Sequence, residues 1–147
     1  MKKAFLFLAL CLLGAGRAAA AEPVDSVRNV IYMIGDGMGL AHVSMLAVEG
    51  GYAPTAFDRA QGIALISTYS ANNRVTDSAA AGTALACGSK TNNGTLGLDP
   101  RGGRLQSVIE WAVAEGMPAG IAVKCHLQHA TPAAFYAHVP DRGDEKA

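Results

Sequence analysis

Clustered positive charge is missing from this chain, and its absence argues against a nucleic-acid surface: Lys90, Arg101, Arg104 and Lys124 stand apart among glycines and apolar residues. A membrane-spanning run is missing as well. The apolar stretch Ala4 to Leu13 is too short for a bilayer, which takes about 20 residues, and no second stretch follows it. Cysteine is scarce, with three in 147 residues. Cys11 lies in the opening apolar run. Cys87, on a predicted small-residue helix, and Cys125, near the end of a predicted strand, could pair in an exported protein, and two buried free thiols are the preferred reading. There are no internal repeats and no low-complexity segment beyond the opening residues, so everything maps to one domain.

What is present begins with a leader. Lys2 and Lys3, the apolar run, and the small residues Ala18 to Ala21 form the pattern of a secretory signal with an A-x-A cut. Residues 1–21 are therefore expected to be removed, leaving 22–147 to carry the fold. Leu10 is too large for the lipoprotein cleavage that would modify Cys11. Loss of Lys2, Lys3 and Arg17 takes twelve basic residues to nine against twelve acidic ones, a net charge of about −3. An exported protein without a membrane span follows, and the lysine-poor, alanine-rich leader points to a bacterial periplasm. Asn93-Gly94-Thr95 fits a glycosylation acceptor, but Asn-Gly is also good tight-turn chemistry, and the turn is preferred.

Apolar runs of strand length alternate with helical patterns, which predicts an α/β domain with a largely parallel sheet. Strands are expected at Val30 to Ile34, Gly62 to Tyr69 and Ala119 to Val123. Helices are expected at Leu40 to Val48, Ser78 to Ala86 and Leu105 to Ala114, the last stopped by Gly116. A further helix starts around Pro132, a residue suited to a first helical turn. The glycine-rich stretch Asn92 to Gly103 reads as a loop with a short hairpin.

Three segments carry chemistry. Thr76-Asp77-Ser78-Ala79-Ala80-Ala81-Gly82-Thr83 places a hydroxyl directly after a carboxylate and follows both with small residues. A helix can then start immediately behind Ser78, so that free backbone N–H groups and the positive helix end face an incoming anion. The plain alternative is helix capping by Asp77 or Ser78, which an isolated Asp-Ser pair would favour. The stretch from Arg28 to Gly39 reads as a buried strand ending in a glycine-rich turn with one carboxylate, Asp36, which suits a metal at the carboxyl edge of a sheet. Asp36 as an ordinary turn residue is the alternative. Gly35-Asp36-Gly37-Met38-Gly39-Leu40 lacks the third glycine of a dinucleotide loop and puts a carboxylate where a pyrophosphate would lie. The stretch from His129 to Arg142 then supplies an imidazole, the Thr131 hydroxyl and a guanidinium in order. His126 and His138 with His129 would make a rival mononuclear zinc site, but the His126-Leu127-Gln128-His129 spacing permits it only on a helix, and Pro132 starts the helix after that segment. His138 is read as a polar residue one helix turn before Arg142.

With these motifs in this order and spacing, the chain resembles the alkaline phosphatases, metal-dependent phosphomonoesterases, from about Val27 to Arg142. The resemblance implies a three-layer α/β/α fold with a largely parallel central sheet, here incomplete. It implies Ser78 as the nucleophile that becomes phosphorylated with the help of an adjacent zinc, and Asp77 as the residue that orients the arginine rather than as a base. Asp36 would bridge the second zinc and a magnesium. His129 and Thr131 would form the magnesium-side pair, Thr131 through its hydroxyl oxygen. Imidazole suits Zn²⁺ better than Mg²⁺, so His129 would act through a bound water or let zinc compete for the third site. Arg142 would hold two phosphate oxygens with its planar guanidinium. Two zinc ions, one magnesium, phosphate monoesters as substrates and a homodimer all follow from the same resemblance.

Alkaline phosphatases continue well beyond this length and carry, in that later region, most of the His and Asp ligands to both zincs and a Glu ligand to magnesium. The chain is thus expected to be an N-terminal portion that by itself hydrolyses phosphate esters hardly at all. Two rivals compete with the phosphomonoesterase reading. A phosphodiesterase or sulfatase of the same superfamily is disfavoured by the Asp77-Ser78-Ala79 context. A non-catalytic exported fragment that keeps phosphate contacts without the zincs is the other.

Overall fold

A computed structural model describes residues 29–144. The expected signal, residues 1–21 with Cys11, lies outside the described residues, as does Arg28 at the start of the Asp36 motif. The described chain falls into two units, one ending at Ile34 and one beginning at Gly35. In the first, Val30, Ile31 and Met33 are exposed.

The second unit is helical where it is regular. Helix α1 spans Leu40–Glu49, a 3-10 turn spans Phe57–Arg59, α2 spans Ser78–Cys87, α3 spans Val108–Ala114 and α4 spans Ala130–Ala133. Helix α2 begins where Asp77 caps it, the Oδ1 atom accepting the Ala80 N–H at 2.9 Å. It ends at Gly88, which takes the left-handed conformation (φ 67°) and returns its N–H to the Ala84 carbonyl. The expected helix at Leu105 starts three residues later, because Ser107 and Glu110 form a capping box: the Ser107 hydroxyl accepts the Glu110 N–H at 3.2 Å and Glu110 Oε2 accepts the Ser107 N–H at 2.9 Å. Helix α4 holds Pro132 within its first turn, where a missing N–H costs no intrahelical bond.

Small residues bring these pieces close. Ala79, Ala80, Gly82, Thr83 and Ala86 are the buried positions of α2, and α2 packs on α4. A Cβ added at Gly82 would lie 2.9 Å from the Ala134 Cβ, so a larger residue would push the helices apart. The core around them consists of Leu96, Ala130, Ala133, Ala134, Phe135 and Val139. Thr83, fully buried, stitches the helix to the following loop: its hydroxyl donates to the Thr95 carbonyl at 3.3 Å and accepts the Gly97 N–H at 3.1 Å. Gly97 has φ 60°, and a Cβ there would collide with the Ala137 carbonyl. The Ser107 hydroxyl, also buried, donates to the Phe135 carbonyl at 2.6 Å and ties α3 to the turn after α4.

The expected hairpin within Asn92 to Gly103 is present as the antiparallel bridge Leu98 to Arg104, and a second antiparallel bridge joins Leu96 to Val139. The three expected strands are not. Among the described residues no sheet forms, and Val30 to Ile34, Gly62 to Tyr69 and Ala119 to Val123 lie outside any strand. The reason is that a strand satisfies its backbone only through a neighbour, and among the described residues no β-bridge engages Gly62 to Tyr69 or Ala119 to Val123. Ile63 and Leu65 are 86% and 82% exposed. The carbonyls of Ser67 and Tyr69 are taken instead by the Lys90 ammonium, at 3.3 and 2.5 Å, which also sits 3.8 Å from the Tyr69 ring centre. Both cysteines are free. Cys87 is half-buried, and burial, with Glu110 nearby, pushes its thiol up; Cys125 is exposed, against the expectation of a buried thiol, because the strand meant to cover it is unpaired. No helix of the described residues is long and apolar enough to cross a membrane.

Candidate active site

Ser78 is the first residue of α2, half-buried, with its Oγ 3.4 Å from Asp36 Oδ1. The other oxygen of Asp36 accepts the Thr131 hydroxyl at 2.6 Å. Asp36 stands in the Gly35 to Met38 turn, closed by the Met38 N–H on the Gly35 carbonyl and by Gly37 at φ 69°. One exposed carboxylate thus joins the nucleophile-type hydroxyl of α2 to the hydroxyl at the start of α4.

A second carboxylate organises the opposite side. Asp77 Oδ1 caps α2, while Oδ2 accepts the Gly94 N–H at 3.0 Å and lies 3.4 Å from Arg142 Nη1. The capping reading and the arginine-orienting reading of Asp77 are therefore compatible, since its two oxygens divide the work. Arg142 is held in place by its backbone as well, the Arg142 N–H donating to the Gly94 carbonyl at 2.7 Å. Its segment is fixed upstream by the Leu96 to Val139 bridge and by the Thr95 hydroxyl on the Pro140 carbonyl at 3.1 Å. A single contact to Asp77 leaves further guanidinium N–H groups for an anion.

Five of the six expected residues are brought together in this way: Asp36, Ser78 and Thr131 around one carboxylate, Asp77 and Arg142 around the other, with Ser78 adjacent to Asp77 in sequence. His129 is placed differently. It caps α4 one residue before Ala130 and two before Thr131, it is exposed, and among the described residues its imidazole makes no hydrogen bond or ion pair. His138 is not on a helix, contrary to expectation. Its Nε2 lies 2.8 Å from the Leu105 carbonyl and 3.4 Å from Glu110 Oε2, where Arg104 also binds at 2.6 Å. Partial burial works to raise the Glu110 carboxyl, and the Ser107 N–H, Arg104 and His138 outweigh it, holding it below the usual range. His138 thereby belongs to the scaffold of α3 rather than to the arginine. The turn at Asn93 and Gly94 is the contributor that sequence reasoning assigned only a turn, because its partners lie 16 to 18 residues upstream.

The donor set decides which metals fit. Asp36, Ser78 and Thr131 present hard oxygens on one carboxylate, suited to a hard cation such as Mg²⁺. Two zinc ions need several imidazole or carboxylate donors each, and among the described residues no three His, Cys, Asp or Glu side chains converge. The same observation removes the mononuclear zinc site at His126, His129 and His138. These residues therefore fit one edge of a metal site and do not fit a complete zinc pair.

An arginine held by Asp77 and hard oxygen donors grouped on Asp36 are the residue types that metal-assisted chemistry at a phosphate-like group would use. The chain belongs to the alkaline phosphatase family, whose pattern it matches over residues 27–147. It is 41% identical over 134 residues to alkaline phosphatase 4 of Bacillus subtilis, covering 84% of this chain and 29% of that one, and 39% identical over 131 residues to alkaline phosphatase 4 of Drosophila melanogaster, covering 78% and 22%. Among solved structures it resembles the alkaline phosphatase of the Antarctic bacterium TAB5, with a TM-score of 0.75 at 36% identity over 80% of this chain and 34% of that one. A cold-active alkaline phosphatase from Shewanella sp. matches with a TM-score of 0.71 at 41% identity over 75% and 29%. The fold class is thus that of the alkaline phosphatases, α/β, and this chain spans between a fifth and a third of the length of these relatives.

Proposed function

We propose that this chain carries the nucleophile and phosphate-holding part of an alkaline phosphatase, a metal-dependent phosphomonoesterase acting through a phosphoserine at Ser78. The observation that carries the reading is the placing of Ser78 on a capped helix start, between the Asp36 carboxylate and the Asp77-held Arg142. Ser78 Oγ would attack phosphorus as the P–O bond to the leaving alcohol breaks, and water would then hydrolyse the phosphoserine to inorganic phosphate. Arg142 would bind two non-bridging oxygens and keep them bound as charge shifts between entering and leaving oxygens. The N–H groups at the start of α2 add a partial positive charge on the same side. Asp77 keeps the guanidinium aimed and takes no proton.

Asp36 and Thr131, with Ser78, are the residues that would hold cations from this chain. A bound divalent cation supplies Lewis-acid stabilisation of a serine alkoxide and of phosphoryl oxygens. Two zincs and one magnesium are the proposed complement, and among the described residues no three His, Cys, Asp or Glu side chains converge to complete a zinc site around Asp36 and Ser78. The 147-residue chain alone is therefore proposed to hydrolyse phosphate esters hardly at all. His129 is assigned to the third metal site, where it acts through a water or favours zinc. Support comes from solved variants of the TAB5 enzyme in which a histidine is replaced by aspartate or by glutamate, each with Mg bound in its M3 site. Export to a bacterial periplasm and a homodimeric complete enzyme belong to the same proposal, resting on the leader and on the family.

The test is a chimera in which residues 27–147 replace the matching stretch of the Bacillus subtilis relative, loaded with zinc and magnesium. It should hydrolyse a chromogenic phosphate monoester in preference to a phosphate diester or a sulfate ester. Preference for either of the latter would move the protein to the phosphodiesterase or sulfatase reading. Metal-loaded chimera without any turnover would favour the non-catalytic phosphate-binding reading.

A further inference from the structure

We infer that Asn93 is a positioning residue for Ser78, its side-chain amide acting as a clamp on the segment Val75 to Asp77 that enters α2. The amide is used at both ends. Asn93 Nδ2 donates to the Val75 carbonyl at 2.9 Å, and Asn93 Oδ1 accepts the Asp77 N–H at 3.2 Å. A primary amide offers one donor side and one acceptor side, so it can pair with a backbone carbonyl and the N–H two residues on, much as a neighbouring strand would. The segment before Ser78 thereby receives backbone pairing from one side chain.

The clamp is itself anchored. The Asn93 N–H donates to Asn72 Oδ1 at 2.9 Å, and the Thr95 N–H closes the turn on the Asn92 carbonyl at 3.1 Å. The next residue, Gly94, takes φ 86°, which a side-chain-bearing residue adopts only under strain. That conformation lets Gly94 face both halves of the anion site: its N–H meets Asp77 Oδ2 at 3.0 Å and its carbonyl receives the Arg142 N–H at 2.7 Å. Asn93 and Gly94 together therefore set where Ser78 stands relative to Arg142, without Asn93 touching either. The same bonds engage the amide that glycosylation of Asn93-Gly94-Thr95 would need free.

This rests on the proposed role of Ser78, so the test has one arm that needs that role and one that does not. Asn93→Leu keeps the approximate shape and removes both bonds; Asn93→Asp keeps the acceptor and removes only the donor. In the full chain, residue-resolved amide exchange should show the Asp77 N–H exchanging about tenfold faster or more in Asn93→Leu, with a smaller change in Asn93→Asp. The Gly97 and Val139 amides should be unaffected. In the metal-loaded chimera, kcat per titrated active site should fall about 10- to 100-fold in Asn93→Leu, with KM changed by less than about twofold and Asn93→Asp intermediate. Exchange that rises equally at Asp77, Gly97 and Val139 would make Asn93 a general fold residue and overturn the inference. Unaltered exchange at Asp77 would overturn it too. Should Asn93→Leu fail to fold, Asn93→Asp decides alone, by the same contrast between Asp77 and Gly97. Loss of exchange protection at Asp77 with no chemistry in any chimera would uphold the clamp and sink the phosphatase reading.

Discussion

The stretch from Ser70 to Leu98, with α4 and its return to Arg142, holds most of the buried residues and is cross-linked, while α1 and the segments at Gly62 to Tyr69 and Ala119 to Val123 expose much of their apolar surface. The richer hydrophobic sequence is in the second region, yet the order is in the first. Alanine, glycine and threonine allow α2 and α4 to touch, and short-range bonds from Asp77, Thr83, Asn93 and Ser107 close the backbone locally. Larger apolar residues such as Leu40, Met45, Leu46 and Val48 of α1 are exposed, and α1 buries none of its residues among the described ones. Asp77, Ser78, Thr131 and Arg142 of the candidate site lie in the cross-linked part, and Asp36 reaches it from the exposed Gly35 to Met38 turn.

That contrast can be broken from either side. The largest effect is expected for Arg142→Ala in the chimera, which should lower kcat/KM about 100- to 1000-fold with metal content unaltered, since Arg142 touches Asp77 and no metal-side residue. Arg142→Lys should recover little of it, because an ammonium cannot bind two oxygens as a planar fork. A parallel fall in bound metal, read by elemental analysis, would make the arginine structural. Next comes Gly97→Ala, which places a methyl against the Ala137 carbonyl at a positive φ and should cost about 2 to 3 kcal/mol, seen as a lower denaturation midpoint. His129→Asp should shift the third-site preference toward magnesium by about tenfold, or about 1.4 kcal/mol. An unchanged Zn:Mg ratio after dialysis against both ions would remove His129 from the site. The smallest effect belongs to Ile63→Ser combined with Leu65→Ser, two highly exposed positions. Stability should move by less than about 0.5 kcal/mol, whereas self-association in light scattering should drop.

The helices and the site were legible in different degrees for a physical reason. A helix closes its bonds within its own segment, so the helices could be placed locally; α3 starts three residues late, set by the Ser107 capping box, and α4 begins at Ala130, two residues before Pro132. A strand closes its bonds through another segment, so apolar runs such as Val30 to Ile34 name a strand without supplying its partner. The residues Asp36, Ser78 and Thr131 could be picked out by motif, and the structure adds that a single carboxylate links them across 42 and 95 residues. His138 and Asn93 could not be placed, because their partners are backbone carbonyls and an N–H at Leu105, Val75 and Asp77 that no side-chain pattern marks.

The most direct test of the account is the position of the phosphoryl group. The metal-loaded chimera, mixed with a radiolabelled phosphomonoester and quenched in acid, should retain label on the peptide that contains Ser78, and Ser78→Ala should retain none. Stable label on any other residue of residues 27–147, or label that survives Ser78→Ala, would contradict the assignment on which the site is built.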